Sequence, residues 1–153
     1  SLVEKQGAKI KVKLSDDSLE LEGDRFYWTQ ILFNLIENAL KQNSSLAVKV
    51  KVSARLNDDE TLSLSIADNG VGIPSADLPY IFNRFYRVEK HHSQGRIKGT
   101  GLGLSIVKRA VEAHHGDISA HSVPGVETRF DISVPLRQNQ GDAKKLPAAA
   151  RAS

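Results

Sequence analysis

Two asparagines and a lysine, Asn34, Asn38 and Lys41, recur at i, i+4 and i+7 within a helical pattern, so they share one face. Asparagine is a poor helix former in an interior position, which makes two at this spacing unusual. Carboxamide oxygens can ligate Mg2+ as neutral donors, and Lys41 supplies a positive point charge for phosphate. The same stripe would also suit a face turned to water. Glu37 rotates toward the edge of the stripe and is expected to face solvent. A second candidate is Asp68, which ends an alternating run through Leu62, Leu64 and Ile66. A buried carboxylate there prefers a ligand that donates an N–H, such as the exocyclic amine of adenine. Guanine offers a carbonyl at that position and is rejected. A third is the stretch Lys98 to Lys108, where Gly99, Gly101 and Gly103 alternate ahead of a helical pattern. Backbone N–H groups freed of Cβ interference, next to the positive end of a helix, make a phosphate cradle. No Gly-Lys-Ser/Thr closes it as in the Walker loop, and Leu104 stands where the dinucleotide fingerprint needs its third glycine. A glycine-loosened loop before an ordinary helix is the alternative.

The elements that must position these groups can be read from periodicity. Ile10, Val12 and Leu14 alternate with lysines as in a strand, Asp16-Asp17 marks a turn, and Leu19 and Leu21 suggest a short second strand. A helix then starts at an Asp24 cap and runs past Lys41, with Trp28, Ile31, Leu32, Leu35, Ala39 and Leu40 turned toward a sheet. Leu46, Val48, Val50, Val52, Ala54 and Leu56 alternate inward, the Asn57 to Glu60 segment turns, and Leu62, Leu64 and Ile66 return. Asp68-Asn69-Gly70 would suit another hairpin, but no matching strand follows it. Ser75 to Phe82 is expected to form one short helix limited by Pro79. The long, basic, hydrophilic segment Val88 to Lys98 is expected to be a mobile lid, with His91 and His92 part of a solvated loop rather than a metal site. Leu104 to Ala113 reads as a helix with Gly116 in the C′ role, and Asp117 to Ser122 and Thr128 to Pro135 as closing strands around Pro124-Gly125.

With 153 residues, 40% hydrophobic and 25% charged, the chain suits one compact domain with a real core. It has no run near the ~20 apolar residues of a membrane span. The absence of cysteine excludes disulfides and cysteine metal sites. A formal charge of +3 fits an anionic ligand or a solvated surface and gives no ground for a nucleic-acid partner. No secretory signal is present, and a first residue of Ser1 rather than Met suggests a piece of a longer protein. Residues 1–136 are expected to form the domain, and the aperiodic Gln-, Ala- and Lys-rich 137–153 a disordered tail.

Four motifs in order carry a resemblance. Asn34-Leu35-Ile36-Glu37-Asn38-Ala39-Leu40-Lys41 resembles the N box of sensor histidine kinases, and Asp68-Asn69-Gly70-Val71-Gly72-Ile73 their first glycine box. Phe82-Asn83-Arg84-Phe85-Tyr86-Arg87 resembles the F box, and Gly99-Thr100-Gly101-Leu102-Gly103-Leu104 the second glycine box. The resemblance spans roughly Ile10 to Leu136 and implies the catalytic ATP-binding domain of a two-component sensor kinase, in the superfamily of gyrase and Hsp90. It implies an α+β two-layer sandwich, with a mixed, largely antiparallel sheet covered on one face by three helices and a flexible ATP lid. By the same resemblance Asp68 takes the adenine amine, Asn38 Mg2+, and Asn34 and Lys41 the phosphates. Gly70, Gly72 and Ile73 belong to the nucleotide pocket, Tyr86 and Arg87 flank the nucleotide, and Gly99 to Leu104 hold the triphosphate.

Gyrase-like and Hsp90-like relatives carry a glutamate where this chain has Asn34, and an amide cannot act as general base near neutral pH. The resemblance thus implies a chain that binds ATP, hydrolyses it poorly, and keeps the γ-phosphoryl for a histidine. None of His91, His92, His114, His115 and His121 has the acidic residue after it that marks that acceptor, so the acceptor is expected on a dimerisation domain preceding Ser1. The implied partners are that domain and a response regulator. The implied setting is a cytoplasmic domain of a membrane-anchored bacterial sensor, reaching a membrane only through missing N-terminal segments. Three positions depart from the family pattern: Gln42 replaces a frequent aromatic, His115-Gly116-Asp117 stands for His-Gly-Gly, and Gly125-Val126-Glu127, expected away from the pocket, stands for Gly-x-Gly. An anti-sigma-type serine kinase is disfavoured by Asn34 and the F box, and a non-catalytic scaffold by intact Asn38, Asp68 and glycines.

Overall fold

The computed structural model describes residues 7–14, 25–43, 47–87 and 103–135. Five strands form one sheet in the order β1-β2-β3-β5-β4, with β1 at Lys9–Leu14, β2 at Lys49–Leu56, β3 at Thr61–Asp68, β4 at Asp117–Val123 and β5 at Glu127–Pro135. β1 is parallel to β2, and the other three pairings are antiparallel. The sheet is therefore mixed and largely antiparallel, as expected.

Strand alternation sends Val50, Val52, Leu62, Leu64, Ile66, Phe130 and Ile132 to one face, where two α-helices cover them. Helix α1 (Arg25–Gln42) buries Trp28, Ile31, Leu35, Ala39 and Leu40, following its apolar spacing. Helix α2 (Gly103–Ala113) buries Val107, Ala110 and Val111. The edge of the sheet departs from expectation. Ile10, Val12 and Leu14 stand opposite Val50, Val52 and Ala54 in register, yet they remain exposed, Val12 at 61%. Leu56, at the end of β2, is exposed as well.

Among the described residues there are two α-helices rather than three. The segment expected to be helical over Ser75 to Phe82 contains only a 3-10 turn at Leu78–Tyr80. Pro79 has no N–H to donate and clashes with an α-helical predecessor. The chain instead steps through i→i+3 bonds, from Asp77 to Pro74, Tyr80 to Asp77, Asn83 to Tyr80 and Tyr86 to Asn83.

The end of α2 also differs. His115, at φ 60°, is the left-handed C′ residue, while Gly116 is one step further on. Gly116 N–H reaches Val111 O at 3.0 Å and His115 N–H reaches Glu112 O at 2.9 Å, the two bonds of a Schellman motif. Glycine is required at 116 for space: a Cβ there would stand 2.7 Å from Ser133 O on β5.

No helix among the described residues is long and apolar enough to cross a membrane. The Asp24 cap, the strand at Leu19 and Leu21, the lid at Val88 to Lys98 with His91 and His92, and the tail all lie outside the described residues.

Candidate functional site

The stripe on α1 forms as its spacing requires. Asn34 and Asn38 are half-buried and Lys41 is exposed. Glu37 does not simply face solvent. It forms an i,i+4 ion pair with Lys41, with the two side chains 26% and 48% exposed. Exposed pairs of this kind hold geometry loosely and contribute little to stability. Lys41 is thus steered along the helix without being fixed.

The stripe meets the start of α2. A Cβ at Gly103 would lie 3.8 Å from Asn34 Oδ1, so the opening of the second helix faces the first asparagine. The first turn of α2 carries no acidic residue, so nothing within that turn offsets its positive dipole end. Leu104 packs against the core and anchors this end. Gly99, Thr100, Gly101 and Leu102 fall outside the described residues.

Asp68 closes β3 and is 7% exposed. Its Oδ1 accepts the Gly70 N–H at 2.9 Å and the Asn43 Nδ2 at 3.4 Å. Desolvation raises its pKa above the ordinary carboxylate value, the two hydrogen bonds work against that rise, and the negative charge of Glu127 adds to it. A strand-end carboxylate this poorly hydrated is a strong acceptor for a donor entering from outside. Thr128 sits beside it in register on β5 and is also buried.

The first glycine box is held from two sides, neither of which the sequence disclosed. From the residue that follows α1, Asn43 Oδ1 accepts the Val71 N–H at 2.7 Å, while its Nδ2 donates to Ala39 O at 2.7 Å. A Cβ at Gly70 would overlap that carboxamide. From the β4–β5 turn, Ser122 Oγ accepts the Ile73 N–H at 2.7 Å and donates to Glu127 O at 2.7 Å, and Gly125 N–H reaches Val71 O at 2.7 Å. The Gly125-Val126-Glu127 turn, expected away from the pocket, therefore supports its wall. Asparagine at a helix end is a recognised capping signal, so Asn43 was open to notice; Ser122 and Thr128 carried none.

The F box splits into an anchor and an outward part. Phe82, just after the buried Ile81, meets Phe130 edge-to-face at 6.1 Å, with Lys108 Nζ 5.7 Å above its ring. Phe85 has φ 65° and is exposed, with Arg84 stacked over it at 5.3 Å. Tyr86 donates its hydroxyl to Asp77, and its ring stands 5.7 Å from that of Tyr80. Tyr86 is therefore held through its hydroxyl, and its half-buried ring packs against the core. Arg87 is half-buried next to it.

The oxygen donors on the α1 stripe are neutral rather than ionic. Among the described residues no group of three His, Cys, Asp or Glu side chains could cage a metal ion. The stripe offers neutral amide oxygens instead. Such a site suits a hard cation that arrives with phosphates and keeps several waters.

The family model for histidine kinase-, DNA gyrase B-, and HSP90-like ATPases matches residues 23–138. Sensor histidine kinase WalK of Bacillus subtilis (strain 168) is 39% identical over 142 residues, covering 92% of this chain and 23% of that protein. Sensor protein RprX of Bacteroides fragilis (strain YCH46) is 36% identical, covering 90% of this chain and 26% of that protein. The chain thus spans about a quarter of these curated relatives. Among solved structures, the mycobacterial sensor histidine kinase MprB superposes with a TM-score of 0.76 at 26% identity, over 90% of each chain. Full-length ShkA in complex with AMPPNP gives 0.76 at 26% identity, over 90% of this chain and 27% of that one.

Proposed function

The chain belongs to the histidine kinase-, DNA gyrase B- and HSP90-like ATPase family and is an ATP-binding catalytic domain of the sensor histidine kinase type, and from that premise we propose how its residues act. The chain positions Mg-ATP for transfer of the γ-phosphoryl group to a histidine on a dimerisation domain, which then supplies a response regulator. The observation that carries this reading is Asp68: a nearly dehydrated carboxylate at a strand end, held by the N–H of the glycine loop that follows it.

In this reading Asp68 accepts the adenine amine, while Val71 to Ile73, pinned by Asn43 and Ser122, form the pocket wall. Asn38 and Asn34 present amide oxygens toward the phosphate side, with Lys41 and Arg87 offsetting charge and the Tyr86 ring flanking the base. The residues from Gly99 onward lead the triphosphate to the dipole end of α2. Mg2+, held by Asn38 and the phosphates, supplies charge neutralisation when bound.

The transfer itself forms a bond between an imidazole nitrogen and the γ-phosphorus and breaks the bond to the β–γ bridging oxygen, so that ADP leaves. Asn34 cannot deprotonate water, so hydrolysis stays slow and the phosphoryl group is kept for the histidine. Two of the described histidines, His114 and His115, do not fit the acceptor role. His114 is buried with Nδ1 2.8 Å from Ala110 O, and His115 is locked in the helix-ending turn.

The test is to mix the chain with γ-labelled Mg-ATP and the separately purified histidine hairpin of B. subtilis WalK. The expected product is acid-labile, base-stable phosphate on the hairpin, with little free phosphate released without it. Rapid hydrolysis in the absence of any acceptor, or acid-stable label on serine, would overturn the reading.

A further inference from the structure

We propose that Asn43, which no motif of the resemblance includes, is the positioning residue for purine recognition: its carboxamide straps the end of α1 to Asp68 and to the first glycine box. This inference rests on the assignment of adenine to Asp68.

The orientation of the carboxamide is fixed by its partners. Ala39 O can only accept and Val71 N–H can only donate, so Nδ2 must face the first and Oδ1 the second. One Nδ2 hydrogen is spent on Ala39 O, in the last turn of α1. The other hydrogen points to Asp68 Oδ1 at 3.4 Å, a separation that a small closure of the pocket would shorten. Asn43 is 2% exposed, so no water competes for these bonds.

Three consequences follow from this geometry. The end of the helix that carries Asn34 and Asn38 is tied directly to the group that reads the base, so the phosphate and purine halves of the site share one rigid connection. Gly70 is required because a Cβ would occupy the volume of the Asn43 carboxamide, its φ lying outside the left-handed region. Asn43 also donates to the Asp68 carboxylate, favouring the ionised form against desolvation and against the charge of Glu127 from β5.

The experiment compares Asn43→Ala, Asn43→Ser, Asp68→Asn, Gly70→Ala and the double variant Asn43→Ala/Gly70→Ala, using calorimetric titration with ATP and with GTP across pH. The Asn43 variants should weaken ATP roughly tenfold while GTP changes about twofold or less, since only adenine uses the aligned carboxylate. The acid-side midpoint for ATP binding should move to higher pH. Gly70→Ala should weaken ATP in the parent chain but add nothing in the Asn43→Ala background, because the colliding group is gone. Equal losses for ATP and GTP, with an unmoved midpoint, would show a merely structural residue and overturn the proposal.

The Asp68→Asn variant separates the two layers of the argument. If it retains discrimination between ATP and GTP, the adenine assignment itself fails. If it loses discrimination while the Asn43 variants keep it, only the role of Asn43 fails. Should every Asn43 variant fail to fold, the parent chain decides by NMR. The Asn43 side-chain amide should exchange slowly and its shift should follow the Asp68 titration; an amide that exchanges at the solvent rate and ignores that titration overturns the proposal.

Discussion

Gly72 comes so close to Pro124 that a Cβ on the glycine would lie 2.7 Å from the proline Cα and 2.9 Å from Val123 O. Gly72 also has φ 77°, a region that L side chains adopt at a cost of roughly 1–2 kcal/mol. The first glycine box and the β4–β5 turn are therefore in backbone contact, and the pocket wall depends on a turn 52 residues downstream of Gly72.

Gly72→Ala should combine that conformational cost with overpacking against rigid backbone, about 1–3 kcal/mol more. Denaturant unfolding should show a loss of about 2–5 kcal/mol, with weaker ATP binding in the fraction that remains folded. A loss below about 1 kcal/mol would mean the turn yields easily and does not support the wall.

His115 ends α2 in the left-handed conformation that glycine adopts freely. His115→Gly should raise stability by about 0.5–1 kcal/mol, the relieved strain less the added chain entropy of glycine. The site lies away from the pocket residues, so ATP affinity should not change. Thermal unfolding that shows destabilisation would indicate that the imidazole makes a contribution larger than the strain.

Asp68 titrates above the ordinary carboxylate value of 3.8, chiefly because burial strips its water. The folded chain therefore holds this proton more tightly than the unfolded chain. The resulting contribution to stability is complete below pH 3.8 and is lost as pH rises through the raised folded value. Adenine binding runs the opposite way, since the amine needs the carboxylate. Asp68→Asn should thus raise the Tm relative to the parent at neutral pH, and the gap should close on acidification. ATP affinity of the parent should fall with acidification at a pH above 3.8, a step absent from the variant. A Tm gap that widens as pH falls would contradict the account.

Asn38→Ala should remove the metal-dependent part of nucleotide affinity. Titrations with excess Mg2+ should weaken roughly tenfold, and titrations in EDTA should change little. Equal weakening in both conditions would assign Asn38 to the nucleotide rather than to the metal.

Much of this site is written in local periodicity. The spacing of Trp28, Ile31, Leu35 and Ala39 orients α1 and so places Asn34 and Asn38 on the other flank; alternation from Val48 to Ile66 gives the β2–β3 hairpin and leaves Asp68 at its end. The Glu37–Lys41 pair was equally readable, since i,i+4 neighbours of opposite charge meet on a helix. The short helix expected over Ser75 to Phe82, limited by Pro79, shrinks to a 3-10 turn at Leu78–Tyr80, because proline breaks the ladder more severely than a mere limit on length. The bond from Ile73 N–H to Ser122 was not legible, because it exists only once β5 separates β3 from β4 and the final turn folds back beside the glycine box. Asn43 fell between the two cases: its capping role is local, but its reach to Asp68 crosses 25 residues.

The most direct test is calorimetric titration of the chain with Mg-ATP and Mg-GTP under identical conditions. The account predicts micromolar-range binding of ATP and binding of GTP weaker by roughly tenfold or more, with that preference lost in Asp68→Asn. Equal affinity for the two nucleotides, or a preference that survives Asp68→Asn, would contradict it.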